Sequence, residues 1–293
     1  MHSIVAIVLP TFATIIVGFV FGRWRGQDVR AVIDVAMYIA LPALAFTSML
    51  DKPIVLADAA LLWAAALVII GGGFLMAFVF FRISGQKHSG LYLPIAFMNN
   101  VNIPFPIIYM AFGSAGLGVA TLFFIPNAIL IYTLGVHIAS RSASWKDSAR
   151  EIGRVPLVYA ALGGLALNLL HVAPPALLTD SLKFIGTAAI PLVLIVLGVN
   201  LSGIRLAQLS TAALAAALRL FGGLALGLLM VALFDFQGVT RAVVLFESAM
   251  PSAAFGSILC AKYGNESELV STVVFITTVA SVVTVPLLLY LLR

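Results

Sequence analysis

The stretch Met98-Asn99-Asn100-Val101-Asn102-Ile103-Pro104-Phe105-Pro106 places three asparagines and two prolines inside an otherwise apolar segment. Proline lacks a backbone donor and clashes with the preceding helical turn, so a helix entering this stretch should kink or unwind. Unwound backbone at membrane depth is tolerated only against protein or a water-filled cavity. The stretch therefore predicts a polar break in a membrane-spanning helix, with free amides and carbonyls that could hold a ligand.

The rest of the chain has the composition of a membrane protein. Apolar residues make up 62% and charged residues 9%, and the mean hydropathy is +1.16, whereas a soluble domain carries about 25% charge. The apolar runs are too long for barrel strands, and helices satisfy their own backbone in lipid. We therefore predict an all-α membrane protein in a lipid bilayer, with ten transmembrane helices at roughly 3–22, 29–50, 58–82, 89–112, 115–140, 155–172, 176–201, 206–234, 238–262 and 266–292.

Charge in the loops predicts the topology. Lysines and arginines concentrate in alternate loops, which the positive-inside rule places in the cytoplasm. We expect a multi-pass protein of a bacterial-type inner (plasma) membrane with both termini extracytoplasmic. The net charge of +5 belongs to these loops and implies no nucleic acid. The basic loop 141–154 is interpreted as a cytoplasmic linker between the halves 1–140 and 155–293, each of five helices. Because five is an odd number, a duplicated half would insert in the opposite orientation, so the second half is predicted to be an inverted repeat of the first.

A second polar break is predicted in the ninth segment, at Phe246–Gly256, which contains Glu247, two serines and a proline. Aligning the two halves places Pro104 opposite Pro251 and Asn100 opposite Glu247. Ionisable groups inside a span are expensive and mark function by default. If both breaks meet at the bilayer midplane, two half-helix N-termini point into one cavity, and their partial positive charges favour an anion such as a carboxylate.

These patterns select the candidate residues. The predicted substrate site is Asn99, Asn100, Asn102, Pro104, Ser248, Pro251 and Ser252, with Thr47 and Ser48 from the second helix, and the predicted ion-coupling residues are Glu247 and Asn200. Prolines are also common as simple kinks, and Glu247 could equally be paired near the membrane edge. Arg219 is expected to snorkel or pair rather than contact substrate, and Asn127 to bond between helices.

The sequence offers no catalytic constellation. Zinc-helix, nucleophile-elbow and phosphate-loop motifs are missing. We therefore expect no enzyme, no metal site and no cofactor beyond a coupling ion, either H⁺ or Na⁺.

Together the motifs resemble the auxin efflux carrier family, which includes plant auxin carriers and bacterial malonate or malate permeases. The resemblance rests on ten spans, on Asn99–Pro106, on Ala249–Ala253, and on Thr277–Ser281 through Pro286. It implies crossing broken helices 4 and 9, a scaffold of helices 1, 2, 6 and 7, elevator-like alternating access, and a homodimer. Val101 stands where plant carriers have proline between two asparagines, and the central loop is short.

We therefore predict a secondary transporter of a small organic anion. One alternative is a sodium-coupled carrier resembling bile-acid symporters, which share a ten-helix layout and would use Glu247 and the asparagines as oxygen ligands. A different class is an intramembrane sensor or enzyme with Glu247 as an acid, but this reading lacks a paired catalytic group.

Overall fold

The computed structural model describes residues 4–26, 28–51, 53–140 and 153–292, and in these ranges the chain is helical with no strand. The predicted linker at 141–154 lies outside the described residues except for its last two positions. The helices are α1 (Ile4–Arg25), α2 (Arg30–Leu50), α3 (Leu56–Ser84), α4 (Tyr92–Ala96), α5 (Pro104–Ser140), α6 (Pro156–Leu169), α7 (Ala176–Ser202), α8 (Leu209–Phe234), α9 (Gly238–Ser248), α10 (Ala254–Tyr263) and α11 (Ser267–Leu291).

Seven of the described helices are long and apolar enough to cross a bilayer: α1, α2, α3, α5, α7, α8 and α11. The prediction of a helical membrane protein is confirmed. Helix α6 is a shorter apolar helix of 14 residues. Helices α4, α9 and α10 have 5, 11 and 10 residues, fewer than the roughly 20 that a crossing needs. The count of ten crossings and the inverted repeat stay predictions.

Several of the long helices are irregular. Helix α5 bends sharply at Gly113, whose backbone (φ 65°, ψ −162°) is non-helical, and this is where the predicted segments 89–112 and 115–140 meet. A positive φ costs glycine little because it has no Cβ. Wide π turns occur in α2, α5 and α8, at Ala36–Ala40, Ile131–Gly135 and Leu218–Gly222. Such turns are frequent at functional sites.

The chain forms two compact units, and each takes segments from both halves of the sequence. The first unit is Met1–Trp63, Val101–Ile125 and Gly153–Gly203, and the second is Ala64–Asn100, Pro126–Ile152 and Ile204–Arg293. These units describe packing and differ from the predicted division at 141–154. The predicted repeat concerns duplication in the sequence, which this division leaves untested.

In the first unit, glycines bring helix backbones together. A Cβ on Gly18 of α1 would overlap the backbone of Ile195 in α7, and a Cβ on Gly198 would overlap the backbone of Ile15. Helix association in lipid depends on close van der Waals packing, which small residues allow. Helix α6 similarly uses Gly164 to approach Phe46 of α2.

In the second unit, α8 packs against α9, and α11 packs against α8 and α10. Gly223 and Gly227 of α8 lie where a Cβ would overlap Ser248 at the end of α9. The aromatic ring of Phe97 is fully buried and meets the edge of Phe74 at a centroid distance of 5.4 Å. The second unit therefore contains the first predicted break as far as Asn100, together with the whole of the second predicted break.

Candidate functional site

The segments that follow α4 and α9 run antiparallel and bond to each other. Met98 and Ser252 form an antiparallel bridge. The N–H of Asn99 donates to the carbonyl of Pro251 at 2.8 Å, and the N–H of Ala253 donates to the carbonyl of Phe97 at 3.0 Å. An interrupted helix leaves polar backbone groups unsatisfied, and these two hydrogen bonds satisfy four such groups across the interruptions. The helices are interrupted between Ala96 and Pro104 and between Ser248 and Ala254, where the sequence predicts polar breaks, and the use of these interruptions as a site stays a prediction.

We call this antiparallel pair of segments the crossing. Ser252 bonds it to both α4 and α11. Its hydroxyl donates to the carbonyl of Pro94 at 2.7 Å, and its N–H donates to Thr277 Oγ1 at 3.1 Å. Thr277 Oγ1 in turn donates to the carbonyl of Val273 at 2.8 Å. Ser252 is completely buried, so its polar groups hold the crossing to α4 and α11.

Asn100 and Glu247 meet in the core of the second unit. Asn100 Nδ2 donates to Glu247 Oε2 at 2.7 Å, and both side chains are buried, with exposed fractions of 3% and 0%. Glu247 Oε1 and Asn100 Oδ1 are buried with no hydrogen-bond partner among the described residues. Buried polar atoms are normally paired, so these two oxygens, one on α9 and one in the segment after α4, are exceptional. The interpretation of Glu247 as a residue paired at the membrane edge does not fit this burial.

Two further buried oxygens lie in the same unit. Asn127 Nδ2 donates to the carbonyl of Met98 at 3.4 Å, so Asn127 bonds from α5 to the non-helical segment after α4 instead of to another helix. Its Oδ1, and the hydroxyl oxygen of Thr278, have no hydrogen-bond partner in the part of the chain that the structure describes. Thr278 was outside the predicted site, although Thr277-Thr278 was a visible polar pair in an apolar helix.

Arg219 is buried, with 1% of its surface exposed, so of the two predicted behaviours it pairs and does not snorkel. Its Nη1 donates to the carbonyls of Ile95 and Ala96 at 3.1 and 3.2 Å, and its Nη2 donates to the carbonyl of Ser248. The guanidinium thus pairs with the last carbonyls of both α4 and α9. Sequence reasoning expected a pairing but had no signal for these partners.

The other predicted residues divide between the units. Ser248 lies in the second unit, where its hydroxyl donates to the carbonyl of Leu245 at 3.0 Å. Thr47 Oγ1 donates to the carbonyl of Ala43 at 2.9 Å, and Ser48 Oγ lies 3.2 Å from Thr121 Oγ1. The predicted residues of the first unit are Thr47, Ser48, Asn102, Pro104 and Asn200. Their participation in the site stays a prediction.

The first unit has its own cavity, of about 420 Å³, where α2 and α6 end and α7 begins. Thr47 contributes to its wall, as do Asn168 and an ion pair in which Lys183 Nζ lies 3.0 Å from Asp51 Oδ1. Both amide atoms of Asn168 bond to backbone groups. The other lining residues are mostly apolar, and these polar groups already bond within the protein.

Helices that break and cross inside an apolar helical body are an architecture of membrane transporters. Comparison with known families agrees with this class. The family model described as membrane transport protein matches residues 3–153 and 144–289. The chain belongs to this family, that of the auxin efflux carriers, as its motifs indicated.

Three relatives match this chain along nearly their whole length. An uncharacterised transporter of Methanothermobacter thermautotrophicus is 27% identical, over 96% of this chain and 95% of the relative. An uncharacterised transporter of Methanocaldococcus jannaschii is 23% identical, over 96% of both chains. A protein of Rhizobium meliloti named as a candidate malonate transporter is 27% identical, over 100% of this chain and 97% of the relative.

Proposed function

We propose that this protein is a secondary transporter of a small organic anion, and that the crossing of α4 and α9 forms its binding centre. The observation that carries the proposal is the Asn100–Glu247 contact, a buried polar pair placed by two broken helices. Broken helices at the centre of a membrane protein are the usual substrate and ion sites of secondary transporters. The family membership and the name of the Rhizobium relative support an acid as substrate.

The first turn of α10 is our preferred position for the substrate carboxylate. The N–H of Gly256 donates to the carbonyl of Ala253 at 3.1 Å, but the N–H groups of Ala254 and Phe255 before it have no acceptor within the helix, and the helix dipole favours negative charge there. The first turn of α5 is a poorer donor, because Pro104 and Pro106 have no N–H and the N–H of Phe105 donates to Val101 at 3.3 Å. Asn99 and Asn100 would orient the acid from the other broken helix.

Glu247 is our choice for the coupling site. A buried carboxyl beside an amide can take up H⁺, or Glu247 Oε1 can ligate Na⁺ together with Asn100 Oδ1. The free oxygens are also what a sodium-coupled carrier resembling bile-acid symporters would use, but the family match favours the auxin efflux carrier family. We propose elevator-like alternating access within ten spans built as inverted repeats, a homodimer, and extracytoplasmic termini.

The test is uptake of labelled malonate, malate and an aromatic carboxylate into proteoliposomes, with H⁺ and Na⁺ gradients imposed separately. We expect saturable uptake of one acid, driven by one gradient, and loss of that gradient dependence in Glu247→Gln. Glu268→Gln is the control, because Glu268 is exposed at the start of α11. Failure of a folded wild-type protein to take up any of these acids would refute an organic-acid carrier.

A further inference from the structure

We propose that Arg219 is a positioning residue whose guanidinium ties together the C-terminal ends of α4 and α9 and so sets the geometry of the crossing. The inference rests on the proposed transport function for its kinetic test. It goes beyond that function because it assigns a role to a buried cation that the proposed substrate and coupling steps do not use. Three carbonyls from two helices converge on this one side chain.

The ends of broken helices need such a partner. The last carbonyls of a helix have no donor within the helix and carry a partial negative charge. Helix α4 has five residues, too few for a stable helix on its own. In a lipid interior no water is available for these carbonyls. A cation that bonds to both ends satisfies them and counters their charge at the same time.

Arginine suits this geometry better than lysine. Its guanidinium presents five N–H donors in a rigid planar fork, so two nitrogens can address different helices together. Here Nη1 takes the two carbonyls of α4 and Nη2 takes that of α9. No carboxylate of the described residues lies within ion-pair distance of Arg219, since the salt bridges found there involve other residues. The charge of Arg219 is therefore directed at the helix ends.

The two ends that Arg219 holds lead directly to the proposed site. Ser248 is the residue after Glu247, and Ala96 precedes Phe97, whose carbonyl accepts the bond that joins the two breaks. A shift of either end would move Glu247 or Asn100 relative to the other. Their 2.7 Å hydrogen bond would be lost by a displacement of about 1 Å, given the range over which such bonds form.

Helix α8 is shaped around this contact. Arg219 lies in the π turn Leu218–Gly222. One turn later, a Cβ on Gly223 would overlap both Arg219 Nη2 and the carbonyl of Ser248, and a Cβ on Gly227 would overlap the Ser248 hydroxyl. Glycines at these two positions let the end of α9 reach the guanidinium.

The experiment compares Arg219→Gln and Arg219→Lys with the wild type in proteoliposomes, using the labelled acid that the wild type takes up. Arg241→Gln is the matched control, an exposed arginine on α9. We expect Arg219→Gln to raise the half-saturation concentration at least tenfold, Arg219→Lys to recover part of it, and the control to be unchanged. A half-saturation concentration equal to that of the wild type in folded Arg219→Gln would overturn the proposal, whatever the maximal rate.

Hydrogen exchange supplies a second measurement that needs no substrate. In Arg219→Gln, we expect protection to fall at residues 92–100 and 245–253 while the rest of the second unit keeps its protection. A uniform loss, or no loss at those residues, would contradict a positioning role. Because this measurement is independent of transport, a wild type that carries none of the acids refutes the proposed function without deciding the role of Arg219.

If Arg219→Gln does not fold, Gly223→Ala replaces it. This variant keeps the charge but displaces the guanidinium from Ser248, and Gly71→Ala is its control, since a Cβ at Gly71 meets nothing within 4 Å. A tenfold rise in half-saturation and the same local loss of protection are expected for Gly223→Ala alone. Wild-type kinetics and protection in Gly223→Ala would reject the proposal.

Discussion

Exchanging the two members of the Asn100–Glu247 pair tests the coupling site most directly. The single variant Asn100→Asp places a second carboxyl 2.7 Å from Glu247 Oε2. With an effective dielectric constant of about 20, two negative charges at that distance repel by about 6 kcal/mol. The pair should then hold a proton or bind a cation before the site can work. The double variant Asn100→Asp/Glu247→Gln removes the repulsion and restores one carboxyl facing one amide.

The assay is uptake of the transported acid into proteoliposomes at pH 6 and pH 8, with and without Na⁺. For Asn100→Asp, we expect the ratio of uptake at pH 6 to uptake at pH 8 without Na⁺ to exceed the wild-type ratio at least tenfold. The double variant should return to within about threefold of the wild-type ratio, because the carboxyl has only changed helix. Size-exclusion profiles of all variants establish that they are folded.

Two results would refute this reasoning. If Asn100→Asp has the pH and Na⁺ dependence of the wild type, the two side chains do not interact during transport. If the double variant is no closer to the wild type than the single variant, the effect of the new carboxyl arises elsewhere.

The remaining predictions concern folding and topology. Thr277→Val should lower the free energy of unfolding by about 1–3 kcal/mol, because the Ser252 N–H loses its acceptor. The control Thr278→Val removes a hydroxyl that has no hydrogen-bond partner among the described residues, so it should not destabilise the protein. Thermal unfolding in detergent compares the two variants, and equal effects would contradict the assignment. Gly18→Ala should destabilise the first unit, whereas Gly163→Ala should not, since a Cβ at Gly163 meets nothing within 4 Å. The yield of folded protein measures this difference. A wild-type yield of Gly18→Ala would contradict the close backbone contact. Tags at both termini should be accessible in intact cells, and protection of either tag would overturn the predicted orientation.

The spans were predictable because their signal is local. Long apolar runs predict helices without knowledge of any partner, and most long helices end within a few residues of the predicted positions, as for α8 at Leu209–Phe234 against 206–234. The predicted segments 89–112, 115–140 and 238–262 do not match single helices of the structure. The breaks were predictable for the same reason, because an Asn-rich or Pro-containing stretch in apolar surroundings is itself a short-range signal of a helix interruption. Pro104 at the start of α5 illustrates the physical reason. Proline is favoured in the first turn of a helix, so it begins the second half of a broken helix instead of bending an intact one.

The pairing of Asn100 with Glu247 was only partly predictable. Alignment of the two halves placed them opposite each other, but the hydrogen bond joins residues 147 positions apart, and no pattern along the chain measures such a distance. Arg219 shows the limit more sharply. In sequence it stands among alanines and leucines, where snorkelling is the ordinary expectation, and its three carbonyl partners carry no side-chain signature at all.

The mutual bonding of the two breaks has a consequence for biogenesis. During synthesis, Asn100 enters the membrane long before Glu247, 147 residues later, leaves the ribosome. Until then the carbonyl of Phe97 and the N–H of Asn99 lack the partners that Ala253 and Pro251 supply, and lipid offers none. The nascent first half should therefore linger beside the insertion machinery or be shielded by a chaperone, and chains that terminate before α9 should be degraded rather than accumulate. Completion of the ninth segment is thus the step that commits the newly made protein to the membrane.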